Sequence, residues 1–151
     1  MSGPAMLDAN VLVYADDAQE PSNAARAALL IAFLIETGRA VITPQVLGEY
    51  WIAVTRKFSP PMESERAEAR IHEYRNFMRV FPYDSVLVAE AVRGVRRYGF
   101  HYYDAQVWAA ARLAAVDVVL SEDFDSRAEI EGVRFVNPFA EDFDVSAFLA
   151  E

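Results

Sequence analysis

At 151 residues and 54% hydrophobic, the chain is long enough for one domain with a full core and too short for two comfortable ones. It contains no cysteine, which excludes disulfides and thiolate metal sites and leaves carboxylate, imidazole and carbonyl oxygen as metal ligands. A formal net charge of -9 excludes a generic nucleic-acid binder coated with Lys and Arg, unless the acids gather where divalent cations reverse the local sign.

Residues 1–5 read as a leader or remnant ahead of the domain. Met6 and Leu7 then end a short apolar strand at Asp8, and Ala9-Asn10-Val11-Leu12-Val13-Tyr14 runs straight into a helix. In a parallel sheet the side chain at a strand's end faces the crevice at the carboxyl edge, where such folds bind ligands. Asp is also among the best helix N-caps, so at this point both readings of Asp8 stand. After a polar loop, Ser22 caps a predicted helix from Asn23 to Thr37, ended by Gly38 and expected to be largely buried. Its run Ala27 to Ile35 is the longest apolar stretch, well short of the roughly 20 residues of a membrane span. The N-terminus also lacks a charged-then-apolar signal pattern. The expectation is a soluble cytoplasmic protein with no membrane partner.

Ala40-Val41-Ile42-Thr43 is a β-branched run and so a second strand, with Thr43 as cap and Pro44 in the first turn of a helix to about Phe58. Val46, Leu47, Tyr50, Trp51 and Val54 keep helical spacing there, and Glu49 sits at the edge of the stripe. Ser59-Pro60-Pro61 breaks the pattern, and Glu63 to Val80 resumes it as an amphipathic helix. Val80 to Tyr83 is a third strand, and Asp84 or Ser85 caps a helix to Gly99. An alanine-rich helix from Ala105 to Ala115 follows the segment Phe100 to Asp104. Asp117 to Leu120 is a fourth strand, Ser121 to Asp125 an acidic loop, and Val133 to Val136 a fifth strand. This alternation predicts an α/β three-layer sandwich, with a five-stranded parallel sheet covered by helices on both faces.

Four acids fall at comparable places. Asp8, Glu49, Asp104 and Asp123 each lie just past the carboxyl end of a strand or at the start of a helix. Carboxylates brought together repel, and burial adds to that cost, unless protons or cations neutralise them. Mg²⁺ or Mn²⁺ suits an all-oxygen site and can activate a water while clamping a phosphate.

The residues that carry this pattern resemble a known family. Leu7-Asp8-Ala9-Asn10-Val11-Leu12, Val46-Leu47-Gly48-Glu49-Tyr50, Tyr103-Asp104-Ala105, Ser121-Glu122-Asp123 and Gly132 to Phe139 are similar, in order, to the PIN (PilT N-terminus) domain, and most of all to VapC-type toxin nucleases. The resemblance covers residues 6–139. It implies a Mg²⁺- or Mn²⁺-dependent endoribonuclease, the toxin of a type II toxin-antitoxin system, inhibited by a cognate antitoxin and assembled as a homodimer. Asp8, Glu49, Asp104 and Asp123 would be its catalytic acids, with Asp8, Asp104 and Asp123 on the metal. Asn10 would orient the first acid and Ser121 would line the site. Asp125 departs from the pattern as an extra loop acid, which shares the metal or faces water. His101 stands where the family often has a small hydroxyl residue, and serves as an RNA contact or as a structural histidine.

Arg93, Arg96, Arg97 and Tyr98 form the densest basic stretch, readable as a solvated helix face or, with His101, as a track for RNA phosphates on which Tyr98 or Tyr102 stacks on a base. The acidic segment 140–151 is expected to fray, as chain ends do, or to pack on a partner. An antitoxin helix is expected in a groove between the helix after Ser22 and the helix after Thr43. Two other functions compete. A non-catalytic PIN-like module would bind RNA or protein without cleaving. A phosphatase of the haloacid dehalogenase kind is disfavoured by Asn10, where that chemistry uses a second aspartate.

Overall fold

Six strands form one sheet in the computed structural model, which describes residues 3–124 and 128–151. They are β1 (Ala5–Leu7), β2 (Ala40–Ile42), β3 (Arg79–Val80), β4 (Val118–Leu120), β5 (Glu129–Ile130) and β6 (Val133–Val136), in the order β3-β2-β1-β4-β6-β5. The strands β3, β2, β1, β4 and β6 are parallel, as the alternation predicts. The sheet gains one strand over that expectation, because β5 pairs antiparallel with β6. Glu131 (φ 51°) and Gly132 (φ 82°) make the two-residue turn between them, the twist-compatible hairpin geometry in which both positions have positive φ. That turn is hard to read in sequence because Glu, rather than Asn, Asp or Gly, occupies its first position.

Side chains alternate between two cores, as strand geometry requires. Leu7, Ile42 and Leu120 face helices α1 (Ala9–Ala15), α2 (Pro21–Glu36), α3 (Pro44–Ile52), α4 (Ser64–Phe77) and α7 (Val145–Ala150). Met6, Val41, Val119 and Phe135 face α5 (Ser85–Tyr98) and α6 (Tyr102–Leu113). This is the expected three-layer arrangement.

Local chemistry sets the helix ends. Thr43 accepts a hydrogen bond from Val46 N at 3.3 Å, and Asp84, not Ser85, accepts one from Leu87 N at 3.1 Å. α2 begins at Pro21, whose fixed φ suits a first helical turn, so Ser22 lies inside the helix. Only one face of α2 is buried, through Ala27, Leu30, Ile31 and Leu34, and Leu29 is 52% exposed. After Ile52 the third helix widens into a single π-turn, Ala53–Lys57. α6 starts at Tyr102, ahead of the expected Ala105, which places Asp104 within its first turn.

Two further expectations are corrected. The C-terminal segment does not fray: α7 packs against α2, with Phe148 buried beside Phe143. Between α2 and α3 the expected groove is occupied by α1, which packs against both. An open groove on that side lies between α2 and α4, has a volume of about 220 Å³, and is lined by Ile31, Ile35, Tyr74 and Phe77 among others. No helix of the described residues is long and apolar enough to cross a membrane.

α5 and α6 cross at Gly94, where an added Cβ would stand 2.6 Å from the Trp108 ring. Trp108 is fully buried and cannot swing away. Its Nε1 donates to Ile130 O at 3.2 Å, and the guanidinium groups of Arg93 and Arg112 lie 5.4 and 5.6 Å from its ring centre. Gly94→Ala is therefore expected to destabilise by about 1–3 kcal/mol, the cost of overpacking a core. Thermal unfolding measures this, and an unchanged melting temperature would show that the crossing relaxes.

Candidate active site

Asp8 leaves β1 and opens α1, and its two carboxylate oxygens are engaged differently. Thr43, Asp84 and Asp144 cap their helices by accepting from the N–H three residues on, as N-caps do. Asp8 accepts only from the adjacent Ala9 N, at 2.8 Å, and turns its second oxygen to the Ser121 hydroxyl at 2.7 Å. It is a weak cap with its carboxylate facing the crevice at the carboxyl edge of the sheet.

Ser121, fully buried at the end of β4, joins three parts of the site. Its hydroxyl donates to Asp8 and accepts from Asn10 Nδ2 and Asp123 N, both at 3.1 Å. Asn10 also donates to Asp123 Oδ2 at 3.3 Å and accepts from Glu122 N at 3.4 Å. Tyr14, one turn further along α1, donates to Glu122 at 2.9 Å. The first helix thus holds the acidic loop after β4 in place; Asn10 reaches Asp123 and Ser121 rather than Asp8, and it is Ser121 that bonds Asp8.

Asp8, Asp104 and Asp123 each present an oxygen within 4.8 Å of the others. Burial raises the Asp8 carboxyl from 3.8 to about 6, against the hydrogen bonds from Ser121 and Ala9, with the Glu49 and Asp123 charges adding to the rise. Burial also raises Asp104, followed by the Asp123 charge, with His101 opposing and Glu49 adding. Glu49 is within electrostatic reach of both but outside that group of three. Among the described residues no Arg, Lys or His forms an ion pair with the three aspartates; the described pairs engage Asp16, Glu68, Glu73, Glu90, Glu131 and Glu151. Converging hard oxygen donors with no side-chain counterion match what Mg²⁺ or Mn²⁺ requires.

The basic stretch divides. Arg93 is bound to Glu90 and Glu131, and Tyr98 donates to Glu131 at 2.6 Å, so both brace α5 against the β5-β6 hairpin. Arg96 and Arg97 are exposed, and no ion pair of the described residues engages them. His101 precedes α6 and stands close enough to influence Asp104. Asp125 lies outside the described residues. Sequence reasoning missed Gln45, which donates to Glu49 at 2.6 Å and, at 3.5 Å, to the Tyr103 carbonyl. Its position four residues before Glu49 on one helix was the available signal. It also missed Tyr83 and Gln106, which meet only in the fold. A groove of about 550 Å³ runs past Asn10, Glu49 and Asp123 to Tyr14, Ile52 and Lys57.

The PIN domain family model matches residues 5–130. The chain belongs to the PIN domain family. Solved structures share its fold at low identity. PAE2754 from Pyrobaculum aerophilum is 18% identical with a TM-score of 0.65, covering 100% of this chain and 98% of that one. VapC20 from Mycobacterium tuberculosis, a toxin that cleaves the sarcin-ricin loop, is 21% identical with a TM-score of 0.62, covering 86% and 98%. A toxin-antitoxin complex from Klebsiella pneumoniae is 17% identical with a TM-score of 0.63, covering 89% and 98%. No curated protein sequence matches the chain. This PIN domain carries the short acidic motifs at the places where its sequence resembles the family.

Proposed function

We propose that this PIN-domain protein is a divalent-metal-dependent endoribonuclease and the toxin of a type II toxin-antitoxin pair. The observation that carries the reading is the convergence of Asp8, Asp104 and Asp123, with which no Arg, Lys or His of the described residues forms an ion pair. Leaving such a cluster uncompensated is costly, and a hard cation removes that cost. Asp8, Asp104 and Asp123 would hold the ion. Bound there, Mg²⁺ or Mn²⁺ supplies a Lewis acid and lowers the pKa of a water. Ser121 and Asn10 keep the Asp8 and Asp123 carboxylates oriented for this role, as the outer hydrogen-bond partners of ligands do. Glu49, whose Oε1 accepts from Gln45, would take the proton of an attacking water. Fold likeness to VapC20 and to the Klebsiella complex supports the toxin reading, with an antitoxin as partner and RNA as substrate.

The purified protein is expected to cleave RNA in Mn²⁺, to stop on addition of EDTA, and to resume with excess Mn²⁺. Asp104→Asn protein that still folds should not resume. Cleavage indifferent to chelation would overturn the metal reading. In cells, expression alone should arrest growth, and co-expression of the protein encoded beside it should relieve the arrest.

A further inference from the structure

Next to Asp104 the fold builds a ledge of tyrosines. Tyr102 and Tyr103 open α6, and Tyr83 comes from the loop after β3. The rings of Tyr102 and Tyr103 lie 5.5 Å apart, and His101 stands 6.1 Å from Tyr103. The amide of Gln106, only 3% exposed, donates to Tyr83 Oη at 2.6 Å and to Tyr102 Oη at 3.0 Å. The second of these bonds fixes the ring beside Tyr103, and the first fixes Tyr83. Gln45 meets the Tyr103 carbonyl from the side of the site that carries Glu49. Tyr83 and Tyr102 are thus held from below and the backbone of Tyr103 from the side, with the Tyr103 ring between those of Tyr102 and His101. The upper surface of the ledge is nonetheless open: Tyr103 is 55% exposed and Tyr83 45%. A cluster of exposed aromatic faces rimmed by polar groups is the kind of surface that contact sites use.

The charge of the chain says what kind of contact. With a net charge of -9, and with Arg93 and Arg112 committed to Glu90 and Glu131, attraction of a phosphate backbone to α5 rests on Arg96 and Arg97. A single-stranded nucleic acid can instead be held by stacking, which is indifferent to net charge and supplies about 1–3 kcal/mol per base. Resting on the nuclease reading above, we propose that Tyr103, with Tyr83 and Tyr102 beside it, is a stacking subsite for an unpaired base of the RNA strand next to the phosphate held at Asp8, Asp104 and Asp123. Base pairing would hide that face, so the subsite selects unpaired over duplex RNA at the cleaved step.

The test uses the purified full chain in Mn²⁺ with a short single-stranded oligoribonucleotide, and the same oligomer carrying abasic sites on either side of the cleaved bond. Tyr103→Ala should raise KM about tenfold on the intact oligomer and leave kcat within about twofold, as loss of one stacked base does. Tyr103→Phe should behave as the unsubstituted protein, and Tyr83→Ala should show a smaller change of the same kind. On the abasic oligomer Tyr103→Ala and the unsubstituted protein should be equal. Equal losses on both oligomers, or no loss on either, overturn the subsite while leaving the nuclease reading intact. An unsubstituted protein that cleaves neither oligomer overturns both. Since Tyr103 is exposed, the melting temperature of Tyr103→Ala should match the parent, and a large fall would assign the ring to the fold instead.

Discussion

Asp8→Asn is expected to raise the melting temperature of the metal-free protein at pH 7.5 and to abolish both its stabilisation by Mn²⁺ and its cleavage of RNA. Burial lifts the Asp8 carboxyl from 3.8 to about 6. A group raised in the folded state stabilises the fold below its unfolded value, and that contribution is lost as pH rises through the folded value. Without metal, the protein should therefore lose stability between about pH 4 and 6, and at pH 7.5 the ionised Asp8 should cost roughly 3 kcal/mol. Asparagine removes the charge but not without loss. Its amide nitrogen would face a Ser121 hydroxyl that already accepts from Asn10 and from Asp123 N. One unmet donor costs about 1 kcal/mol or more. The balance is about 2 kcal/mol, or roughly 4–8 °C for a chain of this size. Calorimetry of both proteins in EDTA and in Mn²⁺, across pH 5 to 8, decides the matter. A variant that melts lower in EDTA, or that gains as much from Mn²⁺ as the parent does, would move the cation away from Asp8.

Asp16→Ala is expected to be the most destabilising single change away from the acid cluster. Its side chain is 2% exposed and accepts from Arg70 at 2.6 Å and from the Tyr50 hydroxyl at 2.7 Å, with Arg66 at 3.6 Å. These bonds tie α1 to α3 and α4. Removing one partner of a buried pair costs about 3–5 kcal/mol, because the other is left uncompensated. Here Arg70 is one third exposed, so the lower end of that range applies. The buried Tyr50 ring keeps its position but loses the partner of its hydroxyl. Replacing Arg70 by Met in the same chain should recover part of the loss, which a double-mutant cycle reads as coupling. Because α1 carries Asp8 and Asn10 at its other end and α3 carries Glu49 beside Tyr50, Asp16→Ala should also weaken the Mn²⁺ shift. Full retention of that shift alongside the loss of stability would separate the network from the site.

The parallel core of the sheet was legible in the sequence because each strand is a short β-branched or apolar run bounded by a cap, a proline or a glycine. Thr43-Pro44, Asp84 and Gly99 are local signals, and local signals survive without tertiary context. The acids were legible for a related reason: strand ends in a parallel sheet share one edge, so Asp8 and Asp123 had to meet once β1 and β4 were neighbours. The type II toxin reading, by contrast, rested on resemblance.

What only the tertiary structure decided depends on residues far apart in the chain. The second oxygen of Asp8 is engaged by one hydroxyl from the end of β4, that of Ser121, which no local pattern around Asp8 announces. Arg93 and Tyr98 looked available until Glu131 arrived on a hairpin whose turn sequence gave no warning. The buried half of α2 was set by what packs on it, since its Ala27 to Ile35 run is apolar on every face and carries no periodicity to read. Gln106 reads in sequence as an ordinary polar residue on an alanine-rich helix. Only when the loop after β3 comes to lie against the start of α6 does its amide hold two tyrosines, because a side-chain hydrogen bond between distant segments depends on distance in space and leaves no pattern along the chain.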